Sequence, residues 1–63
     1  MTDSFSIGSK FVSREGYIYE IVDWYWNGNY RVMEQRGRKK PVQKSIPAWA
    51  ITNNVRGGYW HRM

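Results

Sequence analysis

Short apolar runs alternate with turn residues along this chain, and no window keeps a helical period. The densest run, Tyr17–Trp26 (YIYEIVDWYW), is rich in aromatic and β-branched residues and predicts the longest strand. Strand alternation puts Tyr17, Tyr19 and Ile21 on one side and Ile18, Val22, Trp24 and Trp26 on the other, and a bulge near Asp23 would switch the two sets. Asn27-Gly28-Asn29 then reads as a hairpin turn into Tyr30–Gln35 (YRVMEQ). In that segment Tyr30, Val32 and Glu34 share one face and Arg31, Met33 and Gln35 the other, with Tyr30 and Val32 as the expected core pair. Upstream, Lys10–Ser13 is a short first strand, and Arg14-Glu15-Gly16 a turn. Downstream, Arg36–Lys40 is a turn, and Pro41 limits the next segment to an edge or a strand start. Val42–Ile46 is the fourth strand. Pro47-Ala48-Trp49 fits a single 3₁₀ turn, with Pro at the first helical position, and Ala50–Val55 (AITNNV) reads as a short fifth strand. The expected fold is all-β, a five-stranded closed or nearly closed barrel with a short 3₁₀ turn before the last strand. Closure removes exposed edges from a sheet that has no helix to cover it. Residues 1–6 are expected as a loose lead-in, 7–55 as the barrel, and 56–63 as a tail jointed at Gly57-Gly58.

Composition narrows how such a fold can hold together. The 63 residues make one domain, and there is no cysteine for a disulfide. With His61 the single histidine, no Cys/His zinc site is expected. The core must come from packing or from oligomerisation, and an aromatic content of 17% suits a small core filled with large rings. No apolar run approaches the ~20 residues of a membrane helix. Met1–Gly8 is polar, with Asp3 and no basic residue, so no signal peptide is expected and a cytoplasmic setting is the default.

Charge changes the picture more. The formal net charge is +5, unevenly placed. Residues 1–34 carry three cations against five acids, and residues 35–63 carry seven cations and no acid. Such a split points to a basic face meeting an acidic partner, with nucleic acid the first candidate; solubility is the plainer alternative.

The order of strands and turns resembles an SH3-like barrel over about residues 7–55. The pieces that carry the likeness are Gly8-Ser9-Lys10-Phe11-Val12 as an opening strand, the long strand through Ile21 and Val22, the Asn-Gly turn, and Tyr30-Arg31-Val32. The most specific is Ile46-Pro47-Ala48-Trp49-Ala50-Ile51, similar to the 3₁₀ turn and last strand that end such barrels. Three groups within that superfold bear on function. Small basic archaeal chromosomal proteins lay a sheet face on the DNA minor groove. Tudor and KOW-type domains bind modified peptides or nucleic acid. Plasmid-borne type II dihydrofolate reductases resemble residues 8–51 in outline, including the Trp24-Tyr25 step and the Pro47 turn, and build their active site from a Val-Gln-Ile-Tyr segment before that turn. Here that segment is Gln43-Lys44-Ser45-Ile46, without the tyrosine.

Three segments are candidates for partner contact. Arg36, Arg38, Lys39 and Lys40, with Lys44 and Arg56, can neutralise phosphates, and Arg can also fork onto a guanine edge. Trp24, Tyr25 and Trp26 cannot all face one core, so Trp24 or Trp26 is expected outside, free to stack on a base or anchor a protein contact. The tail brings Trp60 and Arg62, either as an arm that orders on a partner or folded back with Trp60 plugging one end of the barrel. No catalytic constellation, metal site or cofactor motif is evident. The expected function is a small basic nucleic-acid-binding module of weak sequence preference. The alternative is a protein-protein interaction module, a phage-type or accessory factor that binds or inhibits an acidic host protein. Third comes an oligomeric reductase of the dihydrofolate reductase type. Oligomeric state and the choice between DNA and RNA are not fixed by the sequence.

Overall fold

The computed structural model describes residues 5–63, and residues 1–4 of the expected lead-in lie outside it. The elements in order are β1 (Lys10–Ser13), β2 (Ile18–Trp24), β3 (Asn29–Gln35), β4 (Val42–Pro47), α1 (Ala48–Arg56) and β5 (Trp60–Arg62). The strands form one antiparallel sheet in the order β4-β3-β2-β1-β5. The chain is therefore mostly strand, as expected, but the sheet is not closed: β4 and β5 are its two edges.

Register decides which side chains go inside. Tyr19 stands opposite both Phe11 and Glu34, Ile21 opposite Val32, and Trp60 opposite Ser13. Directly opposed residues share a side of the sheet, so Phe11, Tyr19, Ile21, Tyr30, Val32 and Trp60 line one face and form the core with Ile51 and Phe5. The register shifts between Ile21 and Asp23. Beyond this bulge Trp24 pairs with Tyr30, so the even-numbered set changes sides there, and Trp24 sits over the rim of the core rather than in it. The following turn is closed by Tyr25 N–H to Asn29 O at 2.7 Å and Gly28 N–H to Tyr25 O at 3.0 Å, with Gly28 at φ 89°, a conformation that only glycine adopts at low cost.

Residues 50–55 are not a strand. They belong to the nine-residue helix α1, for which Pro47, the last residue of β4, is the N-cap; the single turn expected at 47–49 is its beginning. Ile51, Thr52 and Val55 favour strands by their branching, but Ala48, Ile51 and Val55 recur at i, i+3 and i+7 and so fall on one helical stripe. All three pack on the core, with Ile51 fully buried. Tertiary burial outweighs the weak local preference. The helix ends where Gly57 N–H bonds Asn53 O and Gly58, at φ 76°, turns the chain away. Because α1 touches both β4 and β5, it bridges the gap between the sheet edges.

The true fifth strand lies in the segment expected as a tail. Trp60–Arg62 pairs with β1, and the Trp60 ring stacks on Tyr19 with centroids 4.3 Å apart. Phe5, expected in the loose lead-in, is buried edge-on to the rings of Phe11 and Tyr30, each at 5.8 Å, and its N–H donates to Tyr30 Oη at 3.1 Å. Among the described residues no helix is long and apolar enough to cross a membrane.

Candidate functional site

The sheet has two chemically different ends, and register assigns residues to each. Val12 pairs with Ile18, and Ile18 with Gln35. The 14–16 turn, the 36–40 turn and the end of α1 therefore meet at one end, bringing Arg14, Arg36, Arg38, Lys39, Lys40 and Arg56 together. At the opposite end is the 25–28 turn. Ala48 N–H donates to Gly28 O at 3.0 Å and seats the first turn of α1 beside it, so Trp24, Tyr25, Trp26 and Trp49 gather there. Trp26 is 93% exposed, Trp49 68% and Trp24 58%. The six residue steps of β3 between the two ends span about 20 Å.

The structure thus divides the expected contact set. Arg38, Lys39 and Lys40 are exposed and form no ion pair among the described residues. Arg36 and Lys44 are each tied to Glu34. Trp24 and Trp26 are exposed but at the far end. Trp60, a candidate for partner contact, is 6% exposed and belongs to the core, with only its edge reaching the pocket at the basic end. Arg62, on edge strand β5, lies with its guanidinium over the Phe5 and Phe11 rings, 5.7 and 5.4 Å from their centroids. Arg56 ends α1, where a positive charge suits the helix dipole.

At the basic end the core face opens into a pocket of about 300 Å³. Its lining comes from five elements and two turns: Tyr19, Glu34, Lys44, Ile46, Asn54 and Trp60 from the elements, and Arg14, Glu15 and Tyr59 from the turns. Glu34 is only 2% exposed. Its Oε2 accepts from the Tyr19 hydroxyl at 2.7 Å and from Lys44 Nζ at 3.2 Å, and its Oε1 accepts from Arg36 Nε at 2.8 Å. The Tyr19 bond is the main reason its pKa is held down to about 2; Arg36 and Lys44 act in the same direction and burial opposes them. Burial first, and then the bond to Glu34, push the Tyr19 phenol well above its ordinary value. The Arg36 guanidinium also covers the Tyr17 ring at 4.8 Å. In the turns, Arg14 lies 4.8 Å over the Tyr59 ring and donates from Nε to Gly58 O at 3.2 Å. Glu15 has its pKa lowered, chiefly by a hydrogen bond from its own backbone and then by the Ser13 hydroxyl.

A carboxylate held this low stays ionised through the neutral range. Among the described residues no three His, Cys, Asp or Glu side chains gather to hold a metal ion. Sequence reasoning passed over Glu34, although a charged residue on the face of Tyr30 and Val32 was a visible signal. It also passed over Trp49, which was expected in a single 3₁₀ turn and stands exposed on the first turn of α1. No known protein family, curated protein or solved structure matches this chain, so the chemistry of the site carries the functional argument.

Proposed function

We propose that the protein binds nucleic acid through its basic end, by phosphate contacts of weak sequence preference. The observation that carries this reading is the 36–40 turn: Arg38, Lys39 and Lys40 project there without an ion pair among the described residues, beside Arg14, Arg36 and Lys44. Of the described acids near this end, Glu34 is already neutralised from three sides and Glu15 alone is exposed. Cations held this way release counterions from a phosphate backbone whatever the base sequence. Trp24 and Trp26 contribute only to a bound strand long enough to reach along β3. The SH3-like likeness belongs to the same proposal: a helix that joins both edge strands takes the place of the closing hydrogen bonds of a barrel. A cytoplasmic setting is the natural one for such a partner.

The test is a titration with labelled double-stranded DNA, single-stranded DNA and RNA at two salt concentrations. Affinity that drops steeply with salt supports the reading. Absence of binding at low salt, or affinity indifferent to salt, overturns it.

The aromatic end favours a second reading. Trp24, Trp26 and Trp49 are exposed together, and such rings are the residues that dominate protein-protein contacts. A protein partner that still comes down from a nuclease-treated host lysate, and is lost with Trp26→Ala, would support it.

A further inference from the structure

We propose that the pocket at the basic end takes one unpaired base of a single-stranded nucleic acid, with the flanking phosphates on the cations of its lining and of the neighbouring turn. This rests on the nucleic-acid reading above and adds the class of polymer. The mixture of groups in the pocket argues for it. The lining brings the cations Arg14 and Lys44 together with aromatic and apolar side chains and the Asn54 amide. Glu34, in the same lining, is already paired with Lys44 and Arg36. A flat group that carries phosphates can use the cations and the apolar surface at once, and a nucleotide has that form.

The walls and the volume agree with this occupant. Ile46 and Trp60 give apolar surface, and the half-exposed Tyr59 ring, with Arg14 over it at 4.8 Å, adds a cation-backed aromatic wall against which a base can pack. An ionised carboxylate offers about four acceptor positions. Three are filled, two on Oε2 and one on Oε1, so one remains on Oε1 for an N–H of a base edge. Asn54, also in the lining, has both a donor and an acceptor. The volume of about 300 Å³ is at the lower end of small-ligand sites, about 300–1,000 Å³. A duplex cannot supply the occupant, because its bases are paired and stacked, whereas a single strand can splay one out.

The experiment measures, at low salt, the affinity of the whole chain for three oligonucleotides of equal length: an intact single strand, the same strand made abasic, and its duplex. The intact strand is expected to bind about tenfold tighter than the other two, the order of one stacked base. Asn54→Phe, which fills the pocket from α1 without changing charge, is expected to remove that advantage, with an unchanged circular dichroism spectrum as the control for folding. An abasic strand that binds as tightly as the intact one overturns the proposal and leaves the phosphate reading standing. Salt-sensitive binding to none of the three overturns both. A mononucleotide that competes as well as the strand assigns the pocket to free nucleotides and overturns the choice of a polymer.

Discussion

Tyr19 and Glu34 face each other across the two central strands, and the phenol O–H donates to the carboxylate at 2.7 Å. The contact settles how a charge can sit on the core face of a small sheet. A buried carboxylate without partners is very costly. Here one neutral donor and two cations surround it, and both cations reach in from exposed positions: the Arg36 and Lys44 side chains are 46% and 42% exposed.

The pH dependence of stability follows from that contact. The folded state holds Glu34 near pKa 2, below its ordinary value of 4.5. The stabilisation is therefore fully present above about pH 5 and is lost as pH falls toward 2. Urea melts at pH 7 and pH 3 should show a marked loss of stability in the acid. Glu34→Gln should flatten that difference and cost about 2 kcal/mol at pH 7, the scale of a hydrogen bond to a charged group.

Two tryptophans should behave oppositely. Trp60→Ala removes a buried ring and should cost about 3–5 kcal/mol. A chain of this length has total stability of only ~3–9 kcal/mol, so that loss is a large share of it and thermal melting should show a steep drop in the midpoint. Trp26→Ala, at an exposed turn, should shift stability by less than about 0.5 kcal/mol.

Ile51 reports on the helix. It is the one fully buried residue of α1, so Ile51→Ala should cost about 2–5 kcal/mol. Backbone chemical shifts over 48–56 should be helical in the parent protein, and strand-like shifts there would contradict the bridge between β4 and β5.

The basic turn should control salt sensitivity. Replacing Arg38, Lys39 and Lys40 by Gln should leave the fold intact and reduce the slope of log affinity against log salt by about 3, near one unit per phosphate contact removed. An unchanged slope would place the contact elsewhere.

Much of the sheet was legible in the sequence because strands β1 to β4 are local in their signals. The turn at Gly28 is marked by its own residues, and the Tyr30-Val32-Glu34 alternation gives the inner face of β3 directly. The bulge was suggested at Asp23 because too many apolar residues stood in a row. The C-terminal third was misread where two local signals conflicted. Ile51, Thr52 and Val55 are β-branched, while the stripe of Ala48, Ile51 and Val55 is helical, and only the core beneath α1 decides between them. That Trp60 could fold back onto the core was legible, but not that it does so as a strand, because its partner β1 lies nearly fifty residues earlier. The pocket was illegible for the same reason: Arg14, Glu34, Lys44, Asn54 and Tyr59 share no local pattern and meet only once the sheet has curled beneath the helix.

The pairing of β5 with β1 has a consequence for the birth of the protein. On the ribosome β1 is made early, and its outer edge stays open until Trp60–Arg62, which pairs with it, has emerged. The first hairpins can form as they appear, but Phe11 and Tyr19 lack the Trp60 ring that packs against both. Completion of the core thus waits for Trp60–Arg62, and joining Phe11 to Arg62 closes a loop at an entropic cost of about 3–4 kcal/mol. Until then the nascent chain offers an unpaired strand and bare aromatic rings to its neighbours, so chaperone supply should govern its yield more strongly than its final stability does.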